Sequence, residues 1–232
     1  MYERIRRGAA GANRLLAEYG LVILAWGNGS AIDREAGVVA IKPSGLPCGE
    51  AAPENMVIVD LAGRVVEGEL RPSSDTATHL VLYQAFPEIG GVVHTQPSAA
   101  TAWAQAGRAL PVLGTTHADT FYGPVPCTPP LTGEDAGEDY EKRTGEIILR
   151  TFSGLSPSAV PAALVGGHGP FAWGTNALAA AENALILEEV AKTAALTLSI
   201  APLTPPLDSS LLDRHYFRKH GARATYGQKR EG

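Results

Sequence analysis

Short apolar runs, each cut off within a few residues by glycine or proline, recur along this chain at 37–44 (GVVAIKPS), 56–68 (MVIVDLAGRVVEG), 90–94 (GGVVH) and 161–174 (PAALVGGHGPFAWG). Runs this short read as strands and not as helices. The 26 glycines and 17 prolines in 232 residues supply the turns that such a pattern needs. Helical patterns interleave with the runs. Residues 3–19 predict a helix closed by Gly20. Strand character is expected from Leu21 onward in LVILAWGNGSAI, and 56–68 predicts a hairpin turning at Leu61–Gly63. Ser73, Ser74 and Asp75 offer an N-cap to a helix near 76–86, and GGVVH ends its strand on a histidine. Further helices are expected at 97–106, across GEDYEKRTGEIILRTF, at 176–200 and at about 207–219. GPVPCT reads as a short strand or turn, and 161–174 as two strands meeting at a glycine-rich bend. That order predicts an α/β sandwich on a mostly antiparallel sheet, with residues 1–232 as a single domain.

Charge narrows the function. Lys plus Arg number 19 against 24 Asp plus Glu, a net charge of −5 that argues against a nucleic-acid partner. The one strongly basic stretch, Arg214 to Arg230, reads as a solvated tail. Cys48 and Cys127 are too few for a disulfide framework and form no metal-type pair, and residues 1–20 lack an apolar leader. A cytoplasmic protein is the expectation. The stretch 175–201 is interrupted by Glu182, Glu188, Glu189 and Lys192, so no membrane span is expected.

Two histidines stand where ligands often stand. His94 ends a strand, which gives a stiff base, and His168 lies in GGHGP, where glycines leave room beside the ring. Taken singly, each is better read as a hydrogen-bonded core or turn histidine. Asp75 reads equally as a helix N-cap, and His79, one turn on, as a packed side chain. Three turns suit an anion: Gly27-Asn28-Gly29-Ser30, Lys42-Pro43-Ser44-Gly45 and Arg71-Pro72-Ser73-Ser74. No nucleotide-binding glycine motif accompanies them, so a small phosphorylated ligand is the reading, with plain β-turns as the alternative. Gly114–Asp119 reads as a loop that sets a histidine beside a carboxylate, or as an Asx-type turn.

Together these segments resemble the class II aldolase/epimerase family. The carriers are WGN at 26–28, SAIDRE at 30–35, IKPSG at 41–45, RPSSDTATHL at 71–80, FPEIGGVVHT at 86–95, WAQAG at 103–107, LGTTHAD at 113–119, HGPFAWG at 168–174 and HYFRKHGARATYGQ at 215–228. The resemblance implies a class II aldolase-like three-layer sandwich, assembled as a C4 homotetramer with active sites between subunits. It implies a divalent metal, zinc first, held by Asp75, His94 and His168. Asn28, Lys42, Ser44, Gly45, Ser73 and Ser74 match phosphate positions, with Thr116 and His215 near the substrate. Asp119 and Tyr226 match an acid–base pair, Tyr226 coming from the neighbouring subunit and so carrying the tail into that site. The implied activity is epimerisation of a pentulose phosphate by retro-aldol and aldol steps. The alternatives are aldolase or lyase action on another hydroxy-ketone phosphate, and non-catalytic sugar-phosphate binding.

One position departs from the pattern. The family's His-Thr-His reads His94-Thr95-Gln96 here. A glutamine oxygen is a neutral donor, weaker toward zinc than imidazole. Three outcomes stay open: Gln96 ligates through its side-chain oxygen, a two-histidine one-carboxylate set remains that also suits iron or manganese, or metal binding is too weak to matter.

Overall fold

The computed structural model describes residues 1–221 and 224–226. Seven strands form one sheet: β1 (Asn28–Asp33), β2 (Val38–Ile41), β3 (Val57–Asp60), β4 (Val65–Glu67), β5 (Gly91–His94), β6 (Ala162–Val165) and β7 (Gly169–Gly174). Their order is β4-β3-β2-β1-β5-β7-β6, and every neighbouring pair is antiparallel. The expected fold class is therefore correct.

Strand alternation distributes the helices to two faces. On β1, Gly29 faces Ala12 and Asn13 of α1 (Glu3–Glu18), whereas Ser30 faces His79 of α2 (Thr76–Ala85). The long helix α6 (Ala177–Ile200) lies beside α1, and Gly91 and Gly174 admit its backbone where a Cβ would overlap it. The helix α3 (Ser98–Gln105) packs on α6, and Glu188 of α6 accepts the Ala99 and Ala100 N–H groups at its start. On the opposite face α2 packs against α5 (Tyr140–Thr151). The layers are thus α1, α3 and α6, then the sheet, then α2 and α5. A one-turn helix α4 (Thr115–Ala118) and α7 (Ser209–His220) pack together at one side.

Four local expectations need correction. Strand pairing begins at Asn28 and not at Leu21, because Leu24 (φ 54°) and Gly27 (φ 74°) bend the chain out of extended conformation. GPVPCT makes only isolated bridges, Leu110 to Val125 and Cys127 to Leu164. Pro124 and Pro126 remove the donors a ladder would need. Gly114–Asp119 is a turn of helix and not an Asx turn. Asp75 occupies the N-cap of α2, where its carbonyl accepts the His79 N–H, but its carboxylate caps no N–H of that helix.

Candidate active site

The end of β5, the start of α2 and the 166–168 bend meet at a cleft of about 400 Å³, lined by Asn28, Lys42, Ser44, Gly45, Ser73, Ser74, Asp75, His94, Gln96 and His168 among others. All four expected metal residues and six of the expected phosphate residues are therefore brought together. A wider groove of about 990 Å³ beside α1 is lined by Arg6, Glu67 and other residues, none of them from the expected site. Arg6 there donates to Glu67 at 2.8 Å, so its charge is already paired.

The anion turns lie side by side because their backbones are bonded together. Ser73 N–H donates to Lys42 O at 3.0 Å, and Ser44 N–H to Arg71 O at 2.9 Å. Lys42 is buried, and its ammonium donates to the carbonyls of Leu46 (2.6 Å), Pro43 (3.2 Å) and Ala25 (3.3 Å). Burial holds its pKa below the ordinary lysine value. Lys42 thus shapes the turn from within as well as lining the cleft. Gly27 precedes Asn28 because a Cβ there would meet His94 O at 2.7 Å and Val22 Cγ1 at 2.6 Å.

Asp75 turns its carboxylate to the cleft and accepts from Asn28 Nδ2 at 2.6 Å. Burial opposes its charge, but His94, His79 and the Asn28 amide hold its pKa below the usual carboxylate value. The imidazoles of His94 and His168 meet edge to face, with ring centroids 4.6 Å apart. His94 Nδ1 lies 3.0 Å from Pro170 O, and the ring stacks on Phe171 at 4.4 Å. Because a carbonyl can only accept, His94 Nδ1 is the donor in this contact, which leaves Nε2 as the ring nitrogen not used by it. His168 Nδ1 lies 3.2 Å from the Tyr140 hydroxyl. Burial lowers the His168 pKa to about 4, so its ring is neutral at pH 7. Among the described residues no three His, Cys, Asp or Glu side chains are arranged, as they stand, to hold a metal ion. The donor chemistry nevertheless suits one: a carboxylate, two imidazoles and an amide oxygen on one cleft.

The remaining expected residues lie elsewhere. Asp119, just past α4, accepts from Arg218 Nη2 through both oxygens (2.9 and 3.0 Å) and lies 3.0 Å from His215 Nδ1. Lys219 Nζ is 3.3 Å away and sits over the Tyr226 ring at 4.3 Å. Burial opposes the Asp119 charge, but His215, Arg218 and Lys219 hold its pKa below the usual value. Asp119, His215 and Tyr226 therefore share one cluster, apart from the cleft of their own chain. Thr116 is exposed and lines a small pocket with His117 against α6. Gly227 and Gln228, which end the last motif, lie outside the described residues. Sequence reasoning missed Tyr140 and Glu141, which line the cleft from the first turn of α5. Their one signal is Gly145, where a Cβ would meet Val81 Cβ of α2 at 2.7 Å, so that only glycine lets α5 pack this close to α2.

Residues 7–195 match the family model described as Class II Aldolase and Adducin N-terminal domain. The chain belongs to that family. It is 52% identical over 227 residues to an L-ribulose-5-phosphate 4-epimerase UlaF of Salmonella paratyphi C (strain RKS4594), spanning 98% of this chain and 100% of the relative. Among solved structures it is similar to an L-fuculose 1-phosphate aldolase, with a TM-score of 0.78 and 25% identity over 93% of this chain and 95% of that one. An l-fuculose-1-phosphate aldolase from Thermus thermophilus gives a TM-score of 0.67 and 26% identity, covering 87% and 99% respectively.

Proposed function

We propose that this chain is a metal-dependent L-ribulose-5-phosphate 4-epimerase, interconverting L-ribulose 5-phosphate and D-xylulose 5-phosphate. The carrying observation is that residues from six separate segments converge on one cleft, in a chain 52% identical to a 4-epimerase over 98% of its length. The aldolases it resembles in fold share its family but are far less similar in sequence.

Asp75, His94 and His168 would hold a divalent metal, zinc first, with Gln96 as a fourth donor and manganese or iron as substitutes. When bound, the metal supplies Lewis acidity that stabilises charge on the ketose oxygens while the C3–C4 bond is broken. The side chains of Ser44, Ser73 and Ser74, with the Gly45 turn, hold the phosphate end. That anchoring retains the two-carbon aldehyde phosphate while it rotates, so re-addition to its other face inverts C4. Asn28 keeps Asp75 oriented.

Proton transfer on the two faces of C4 is the work assigned to Asp119 and Tyr226. Both lie in the α4–α7 cluster, outside their own chain's cleft. A neighbouring copy is therefore the source of Asp119 as well as of Tyr226 and His215, in a C4 homotetramer whose sites lie between subunits. Thr116, exposed on α4, belongs to the same side. The protein works in the cytoplasm, and no helix among the described residues is long and apolar enough to cross a membrane.

Incubation with L-ribulose 5-phosphate and zinc tests the assignment. D-xylulose 5-phosphate is the expected product. Free glycolaldehyde phosphate would mean an aldolase, and saturable binding without turnover would mean a sugar-phosphate-binding protein.

A further inference from the structure

The two imidazoles of the cleft are held in different ways. His94 is fixed on both sides, by the Pro170 carbonyl and by the Phe171 ring. His168 sits between Gly166-Gly167 and Gly169, residues with no side chains to confine it. Gly167 there is in the left-handed region (φ 73°). Among the described residues, the one hydrogen-bond partner of the His168 ring is the Tyr140 hydroxyl, at 3.2 Å.

We infer that Tyr140 is a positioning residue for His168, holding Nδ1 so that Nε2 is presented to the cleft. The inference rests on the reading of His168 as a metal ligand. Metal-binding histidines need a partner on the second nitrogen to fix ring angle and tautomer. With Nε2 committed to a metal, Nδ1 carries the proton and donates it to the Tyr140 oxygen. That hydrogen bond depends on the placement of α5. Gly145 lets α5 close on Val81 of α2, and Thr78 Oγ1 of α2 donates to Glu141 O at 2.5 Å. Tyr140, the first residue of α5, is thereby tied to the same helix whose N-terminus carries Asp75. One pair of packed helices would thus set the carboxylate directly and the second imidazole through a phenol.

Tyr140→Phe removes one oxygen and tests this, with an unchanged far-UV circular dichroism spectrum and thermal midpoint as the check on folding. In metal-free protein, ¹⁵N spectroscopy should show the His168 Nδ1 resonance displaced and the His94 resonances unmoved, a signature that a merely structural role would not produce. Zinc affinity, measured by chelator competition, should weaken about 10- to 100-fold. An unmoved His168 resonance overturns the inference, and so does a displaced resonance with unchanged zinc affinity. A parent protein that binds no zinc, with the resonance displaced, overturns the metal reading and leaves the Tyr140–His168 hydrogen bond standing.

Discussion

The Asn28 amide donates to Oδ2 of Asp75 across 2.6 Å, joining the first residue of β1 to the N-cap of α2. The resemblance assigns Asn28 to phosphate, yet its Nδ2 is already bonded to a carboxylate. Hydrogen bonds to charged groups contribute about 1.5–3 kcal/mol. Asn28→Ala is therefore expected to lower the stability of metal-free protein by about that amount in urea denaturation. It should also weaken zinc binding by about tenfold, as loss of an outer-shell partner does. Zinc affinity equal to the parent's would show that Asn28 serves the phosphate alone.

Gln96 lies on the cleft two residues past His94, where the family pattern has imidazole. Gln96→His exchanges a neutral amide oxygen for a nitrogen donor that zinc prefers. Zinc should bind about tenfold more tightly or better, ~1.4 kcal/mol, with a smaller gain for manganese. Competition titrations with both metals would measure this. Equal gains for the two ions would mean that position 96 stands outside the coordination sphere.

Separation of the Asp75 cleft from the Asp119 cluster makes subunit complementation a direct test. Asp75→Asn and Asp119→Asn should each be inactive alone. If neighbouring copies supply the cluster, mixed tetramers from equal amounts of the two variants recover about a quarter of the parental sites. Activity is read after co-refolding or co-expression. A mixture as inactive as its parts would require both residues to act within one chain.

The site was readable from the sequence in proportion to how local its geometry is. His94 stands out because a strand that ends on histidine can be recognised from five residues. His168 does so because glycines surround it. The bend at 21–27 was hidden, because LVILAWGN has strand composition, and the need for a left-handed Gly27 comes from His94 O, more than sixty residues away. Tyr140 was hidden for the same reason. GEDYEKRTGE reads as an ordinary amphipathic helix start, and only the Gly145–Val81 crossing shows which of its side chains reaches the cleft. The Asp119 cluster was legible as chemistry but not as a place, because sequence spacing does not show that α7 folds back on α4.

His79 gives the metal-free protein a particular sensitivity to acid. The ring is fully buried, its Nδ1 lies 2.7 Å from Ser30 Oγ, and Ser30 Oγ in turn lies 2.8 Å from the Tyr83 hydroxyl. Its Nε2 is buried with no protein partner among the described residues. Burial lowers the His79 pKa to about 4, against the upward pull of Asp75. The unfolded chain, with an ordinary histidine pKa of about 6.5, takes up a proton between pH 6.5 and 4 that the folded ring refuses. Stability is therefore complete above about pH 6.5 and declines as pH falls toward 4, by about 3 kcal/mol for this group. His168, also lowered to about 4, adds to the same decline. Carboxylates with depressed pKa, such as Asp33 and Asp60, lose their contribution only below about pH 4, in a separate window. Urea midpoints between pH 7.5 and 4.5 should fall steadily in the parent, and His79→Gln should reduce that slope by about one proton. An unchanged slope in the variant would mean that the buried ring already carries its proton in the folded protein.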